Sequence, residues 1–436
     1  MSTLPEREGE EVEAIQGQSS GSSRFGRIPA AKNERRGGGF LKTIRILVTG
    51  GGTGGHVSPA LAVIQTLQEL AKGADWSPVF QYVGSRRGVE QGLVEAIGIP
   101  FVGVESGKLR RASSLAGMLT LKNFADALRV PVGIVQAWNE VRRFRPDVVL
   151  ATGGYVSVPP VIAAGLLRIP VLIHEQTVQI GLANKIAARY ATRIALTFEG
   201  AAAELPMRDR SKAFVTGNPV RAAIFGGDKA SAVARLGFDP AENALPTIYV
   251  TGGALGAKSI NRVVEEALPE LLQFCRVVHQ CGKADGEYLI AQREGLNEKQ
   301  KQRYIVRPIV GAEIADIFAL ADLIVGRSGA GTVTEAAAVG KPALFIPLVP
   351  TGGDEQTRNA RRLVDAGAAV ILPSAELSVL RLVEEVRGLL SDPARLQKMG
   401  AAALTLATPN AARDLAEAVL ELAENRRADP GESMVK

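Results

Sequence analysis

The stretch "RILVTGGGTGGHVSPALAVIQTL", Arg45 to Leu67, decides the fold. An apolar run of the buried parallel-strand type ends at Thr49. Five glycines then flank Thr53, and Val57, Leu61, Ile64 and Leu67 recur at helical spacing. His56, one of only three histidines, sits where the glycines stop. Gly50, Gly52 and Gly55 satisfy G-x-G-x-x-G between a strand and a helix, the context of a dinucleotide site. Such a site also wants an acid about 20 residues on, at the end of the second strand. "QYVGSRRGVE" (81–90) offers Arg86 and Arg87 there, which an NADP site could use. No Gly-Lys-Ser/Thr follows the glycines, so a P-loop is excluded.

Strands and helices alternate onward from this stretch. "PVFQYVG" reads as a strand, "GVEQGLVEAIG" as a helix, "DVVLATGG" as a strand into a glycine turn, "VSVPPVIAAGLL" as a helix and "PVLIHEQ" as a strand. Repeated βαβ units imply a parallel doubly wound sheet. The pattern then restarts. "TIYVTGGALGAKSINRVVEEAL" (247–268) echoes the opening stretch, and "DLIVGRSGAGTVTEAAAVGKPALFIPL" (322–348) echoes "DVVLATGGYVSVPPVIAAGLLRIPVLI". The expected fold class is therefore α/β, with two Rossmann-like doubly wound domains facing across a cleft. Residues 1–42 lack apolar periodicity and read as a disordered tail. The domains are placed at 43–205 and 206–410, with the join near "AFVTGNPVRAAIF", followed by a C-terminal helix and tail over 411–436. The last dozen residues, "NRRADPGESMVK", read as unstructured.

The 436 residues, 46% of them hydrophobic, suit two domains with large cores. Aromatics at 5% disfavour a single-strand nucleic-acid binder built on stacking, and no nucleic-acid partner is expected. A net charge of +6 is compatible with phosphorylated substrates or an anionic membrane. Two cysteines, Cys275 and Cys281, flank the strand-like "RVVHQ"; a disulfide scaffold is excluded, and both read as buried apolar-like thiols of a reducing cytoplasm. No secretory signal or spanning helix is read; the longest apolar run, Val156–Ile173, is broken by Pro159, Pro160, Arg168 and Pro170.

Glycine turns close four strands. Glycines let a backbone approach phosphate oxygens, and a helix N-terminus supplies free N–H groups and a positive dipole. In "GRSGAGTVTEAAAVG" the N–H groups of Ser328, Gly329, Ala330, Gly331 and Thr332 suit a diphosphate. Glu335, one turn on, can accept two hydrogen bonds from a ribose diol, while Thr332-x-x-Glu335 is equally a capping box. Asp354, Glu355, Gln356 and Asn359 read as a solvated helix start or as readers of sugar hydroxyls. "HEQTVQIGLANK" supplies His174, Glu175, Gln176 and Asn184 similarly, and "GNPVR" supplies Asn218 and Arg221, an arginine that can pair with phosphate. No spacing resembles a metal cage, so no metal is expected.

Seven motifs in order, "GGTGGHVSPALAV", "GGYVSVP", "HEQ", "GNPVR", "HQCGKAD", "RSGAGTVTEAAAVGKPALFIPL" and "DEQTRNA", resemble the peptidoglycan glucosaminyltransferases of the MurG family, over roughly residues 43–425. The resemblance implies a GT-B fold, with an acceptor- and membrane-side first domain and a UDP-sugar-binding second domain. It implies inverting transfer of N-acetylglucosamine from UDP-N-acetylglucosamine to the 4-hydroxyl of undecaprenyl-diphosphate-linked N-acetylmuramyl-pentapeptide. The donor is a substrate, and no cofactor is implied. Carried over by position, Glu335 would hold the ribose, and Ala330, Gly331, Thr332 and Arg221 the diphosphate. Glu355 and Gln356 would read the donor sugar. Thr53, Gly54 and Gly55 would approach the donor sugar or the acceptor diphosphate, and Thr177, Ala254, Val310, Val333 and Thr334 complete the implied substrate contacts. His56 would be the catalytic base; an imidazole of ordinary pKa suits that task, while a histidine can also simply cap or pack a helix start. Thr177 stands where the family often has Asn. Gly252-Gly253-Ala254 replaces Gly-Gly-Ser, which removes a hydroxyl and leaves backbone N–H groups. The 40-residue N-terminal tail is not a family feature.

The resemblance also places the chain peripherally on the cytoplasmic face of the inner membrane, with cell-wall synthesis proteins as partners. "SGKLRRASSLAGMLTLKNFADALRV" supplies Lys108, Arg110, Arg111 and Lys122 among Leu109, Leu115, Met118, Leu119, Leu121 and Phe124. That composition suits an interfacial loop and helix, or a core helix with a basic loop. Competing readings are a UDP-sugar epimerase, an NADP-dependent oxidoreductase and a non-catalytic nucleotide-sugar scaffold.

Overall fold

The computed structural model describes residues 42–86, 88, 90–107, 121–242, 244–348 and 354–428. The tail expected over 1–42 lies outside them, except Lys42, which opens the first strand. The basic-apolar segment lies outside them from Lys108 to Thr120.

The first sheet has seven parallel strands in the order β3-β2-β1-β4-β5-β6-β7. They are β1 (Lys42–Thr49), β2 (Trp76–Ser85), β3 (Phe101–Val104), β4 (Val148–Ala151), β5 (Val171–Glu175), β6 (Arg193–Leu196) and β7 (Ala213–Val215). Helices α1 (Gly54–Ala71), α2 (Glu90–Glu95), α3 (Leu121–Phe144), α4 (Val158–Leu166) and α5 (Leu182–Ala187) lie along the crossovers. The helical face read from the sequence is the packed face: Val57, Leu61, Ile64 and Leu67 are all buried against Ile44, Ile46 and Val48 of β1. Each such side chain contributes roughly 1.5–3 kcal/mol. β7 pairs with β6 and carries the sheet past residue 205, so the first domain's last strand lies beyond the boundary expected there.

The second sheet runs β10-β9-β8-β11-β12-β13. Between β7 and β8 in the chain, α6 (Lys229–Leu236) packs into the core of the second domain. The strands are β8 (Thr247–Thr251), β9 (Arg276–Gln280), β10 (Tyr304–Arg307), β11 (Leu323–Gly326), β12 (Ala343–Phe345) and β13 (Ala369–Ile371). Their helices are α7 (Lys258–Phe274), α8 (Lys283–Glu294), α9 (Glu298–Arg303), α10 (Ile314–Leu320), α11 (Ala330–Ala338), α12 (Glu355–Asp365), α13 (Val379–Leu390) and α14 (Pro393–Leu404). The six strands of the second sheet repeat the order of the first six of the first sheet, and in each the winding reverses at one point, between β1 and β4 and between β8 and β11. Ligands of open α/β sheets lie at those points, off the carboxyl ends of the strands.

The last helix, α15 (Ala411–Ala428), returns to the first domain, where Leu415, Val419 and Leu422 join the core that buries α1. It includes Asn425 to Ala428, the start of the dozen residues expected to be unstructured. Arg427 explains the extension: its guanidinium donates to both Asp147 oxygens, at 3.0 and 2.7 Å, and Arg426 donates to Pro146 O at 2.9 Å. Cys275 and Cys281 are buried free thiols, as the sequence suggested.

Candidate active site

The glycine turns fall into two kinds. A Cβ at Gly50, Gly51 or Gly52 would lie 2.1–2.6 Å from Thr152, Glu90 or Tyr155, and one at Gly154 would lie 2.1 Å from Gly51 O. Gly51 N also donates to Gly153 O. The turn after β4 therefore packs against the turn after β1, rather than lying open to a phosphate as expected. At Gly253, Gly329 and Gly331, by contrast, a Cβ would meet nothing within 4 Å. Those glycines face open space, where another molecule can approach the backbone.

Thr53 caps α1, and its Oγ1 lies 2.8 Å from His56 Nδ1. Thr152 Oγ1 donates to His56 O at 2.6 Å, which fixes the first helical turn. The imidazole edge passes beside Gly153 and the Asn184 amide. Partial burial disfavours the imidazolium and pushes the His56 pKa down to about 4, so the ring is neutral at pH 7. Across the cleft, a Cβ at Gly54 would lie 3.2 Å from the Ala254 Cβ. The turns closing β1 and β8 are thus in near contact.

On the second domain, α11 begins at Ala330 with Gly329 as its cap, which puts Glu335 well inside the helix. The capping-box alternative is removed. Glu335 Oε1 lies 4.0 Å from Arg221 Nη2 instead, and burial raises the carboxyl pKa against the lowering effect of Arg221. Arg221 Nε is buried without a hydrogen-bond partner. Ala330, Gly331 and Thr332 are half-buried at the open start of α11. Gln356 Oε1 accepts from Leu348 N at 2.9 Å, which leaves its amide donors for a ligand, and Glu355 is exposed beside it. Arg327 positions this side: its guanidinium donates to Ile346 O, Pro347 O, Ser374 Oγ and Ser259 Oγ.

Other residues of the expected site also take part in the fold's own hydrogen bonds and packing. His174, Glu175, Gln176 and Asn184 are all buried, and their side chains hydrogen-bond within the loop after β5 and to its neighbours. His174 Nε2 donates to Gly217 O at 2.9 Å, with Gln176 Nε2 on its Nδ1. Glu175 accepts from Thr177 N, Gly181 N and Asn184 Nδ2. The Thr177 hydroxyl is bound to Glu175 and Gln179 O. Val333 is a core residue whose N–H donates to Gly329 O. Thr334 Oγ1 donates to Ala330 O and accepts from Asn218 Nδ2, and Val310 packs on the second core. Glu90, Thr152 and Tyr155 pack against the first glycine turn, and sequence reasoning did not single them out. Their signal was the spacing of glycines that leave them room.

His174 and His279 are buried, hydrogen-bonded on both ring nitrogens and lowered to about 4. The unfolded value is about 6.5. Between these values the unfolded chain takes up protons that the folded chain does not, so stability present above pH 6.5 is lost as pH falls. At pH 5 each contributes on the order of 2 kcal/mol of loss. The His279→Gln variant is expected to lose less urea-midpoint stability than the parent between pH 7 and pH 5. Parallel losses would contradict the assignment.

Among the described residues, no group of three or more His, Cys, Asp or Glu could hold a metal ion. No described helix is long and apolar enough to cross a membrane.

Two parallel nucleotide-type sheets meeting across facing glycine turns make up a GT-B fold. The glycosyltransferase family 28 N-terminal domain matches residues 46–196, and the family's C-terminal domain matches 247–419. A UDP-N-acetylglucosamine–N-acetylmuramyl-(pentapeptide) pyrophosphoryl-undecaprenol N-acetylglucosamine transferase of Bacillus cereus is 39% identical over 347 residues, 79% of this chain and 91% of that one. The crystal structure of Acinetobacter baumannii MurG is 27% identical with a TM-score of 0.62, covering 87% of this chain and 99% of that one. The chain belongs to the MurG family. The UDP-GlcNAc 2-epimerase of Neisseria meningitidis shares the fold alone, at 15% identity and a TM-score of 0.58, over 87% of this chain and 100% of that one.

Proposed function

We propose that this chain transfers N-acetylglucosamine from UDP-N-acetylglucosamine to the 4-hydroxyl of undecaprenyl-diphosphate-linked N-acetylmuramyl-pentapeptide. The observation that carries the reading is the approach of the His56-bearing turn to the Ala254 turn, with Gly54 and Ala254 nearly touching. A sugar held from the second domain therefore meets an acceptor held from the first.

Glu335 accepts the ribose hydroxyls. The N–H groups at the start of α11 and the Arg221 guanidinium meet the diphosphate, so the leaving negative charge develops against fixed donors. Glu355 and Gln356 read the sugar. In the tautomer that donates Nδ1–H to Thr53 Oγ1, His56 has its lone pair on Nε2. That nitrogen takes the 4-hydroxyl proton as the oxygen bonds to the anomeric carbon, and UDP leaves from the opposite face with the bond's electron pair. One displacement converts the α-linked donor to a β-linked product. Arg221 and the dipole at the start of α11 supply the counter-charge to the leaving diphosphate.

The acceptor's lipid calls for a membrane surface. The segment from Lys108 into α3 supplies basic and apolar residues, and Val132 and Val135 farther along α3 are exposed. We place the chain peripherally on the cytoplasmic face of the inner membrane, beside other cell-wall synthesis proteins.

Incubation with UDP-N-acetylglucosamine, with and without the lipid-linked acceptor, tests the reading. UDP release that requires the acceptor is expected. Conversion of the donor to its 2-epimer without acceptor would make the chain an epimerase, and binding without turnover in either mixture would make it a scaffold.

A further inference from the structure

An acid does stand beneath the first glycine turn, five residues past the end of β2. Glu90 opens α2 and is fully buried. Its Oε1 accepts from Ser85 N at 2.7 Å, and its Oε2 accepts from Gly52 N at 3.3 Å. Glycines in the first turn, on β2 and just after it leave room for this side chain, Gly84 for the Phe101 ring as well. A Cβ at Gly51 would lie 2.6 Å from the carboxyl carbon, one at Gly84 2.9 Å from Cγ, and one at Gly88 2.0 Å from Oε1. Two rings complete the clamp. The Tyr82 hydroxyl donates to Gly50 O at 2.6 Å, and Tyr155 lies 2.5 Å from the Cβ position of Gly52.

A buried carboxylate is costly unless its oxygens are hydrogen-bonded, and a packing role alone is filled more cheaply by an apolar side chain. What the carboxylate does here is direct the turn. It draws the Gly52 N–H inward. The N–H groups that open α1, at Gly54 and Gly55, have no intrahelical partners and lie on the half-exposed outer side with His56.

We propose that Glu90 is a positioning residue for the lipid-linked acceptor: it sets the turn so that the helix-start N–H groups and the His56 imidazole meet the acceptor's diphosphate and sugar hydroxyl together. The proposal rests on the reading of the first domain as the acceptor side.

Two variants test it by different means. Glu90→Gln keeps the shape and turns an amide N–H toward a backbone N–H. Gly88→Ala keeps the carboxylate and pushes it out of place. Each is expected to lower kcat/KM for the acceptor about 10- to 100-fold, the range for losing a hydrogen bond to a charged group. UDP-N-acetylglucosamine Kd stays within about twofold, because the donor is held by the other domain, and the double variant is no worse than the poorer single one. Parental acceptor kcat/KM in the variants, or fully additive losses, overturns the proposal and leaves the functional reading standing. Losses that appear in the donor Kd put the turn on the donor side and overturn the proposal together with the acceptor-side reading of the first domain. If Glu90→Gln does not fold, Gly88→Ala decides on the same readouts.

Discussion

His56→Ala is expected to bind UDP-N-acetylglucosamine as the parent does and to lose about 10²- to 10⁴-fold in kcat, the usual worth of a positioned general base. The expectation follows from where the ring stands. It lies on the first turn of α1, tied to Thr53 at 2.8 Å, beside the turn that nearly touches Ala254. Its pH signature is specific. The free-enzyme pKa of about 4 places the acid limb of kcat/KM near pH 4, where the ring takes up a proton and activity falls. Bound substrates bring diphosphate charge toward the imidazole, which favours the charged form, so the acid limb of kcat lies higher. Both limbs are absent from His56→Ala. A variant with parental kcat would remove the base assignment.

Glu335→Ala is the second large effect, on the other substrate. A carboxylate that accepts two ribose hydroxyls loses about 1.5–3 kcal/mol per charged hydrogen bond when truncated, so the UDP Kd should rise about 10²-fold or more. The geometry adds to this. Glu335 is the partially buried partner of Arg221 at 4.0 Å, and its removal leaves that guanidinium without its counter-charge. Glu335→Gln retains the shape and is expected to fall between the two. Calorimetric titration with UDP measures both. Parental affinity in Glu335→Ala would mean that the ribose is held elsewhere.

The parts of the fold written in local periodicity were legible. The Val57-Leu61-Ile64-Leu67 face, the alternation of strand and helix, and the restart at Thr247 needed only the spacing of apolar residues. The return of α15 to the first domain was not legible, because its Leu and Ala stripe fits either core and only the fold shows that Leu415 and Val419 meet α1. The tie of Arg427 to Asp147, 280 residues apart, has no local signal either. Within the site, glycine marks close approach without saying what approaches. At Gly329 and Gly331 that is open space, and at Gly51 and Gly154 it is the protein itself. "HEQ" looked like a reader of hydroxyls because its residue types are polar. Burial on β5 and in the loop behind it turned all three inward, so their hydrogen bonds brace the scaffold under His56. Glu335 was ambiguous until the start of α11 was known, since a shift of two or three residues separates a capping acid from one facing Arg221.

The central claim joins two substrates across one cleft by a single displacement. Its most direct test is the linkage formed when the purified chain is given UDP-N-acetylglucosamine and the lipid-linked muramyl acceptor, read by NMR of the disaccharide released from the lipid. A β-1,4 bond between N-acetylglucosamine and N-acetylmuramic acid is expected. An α linkage, or no disaccharide while the donor is still consumed, would contradict it.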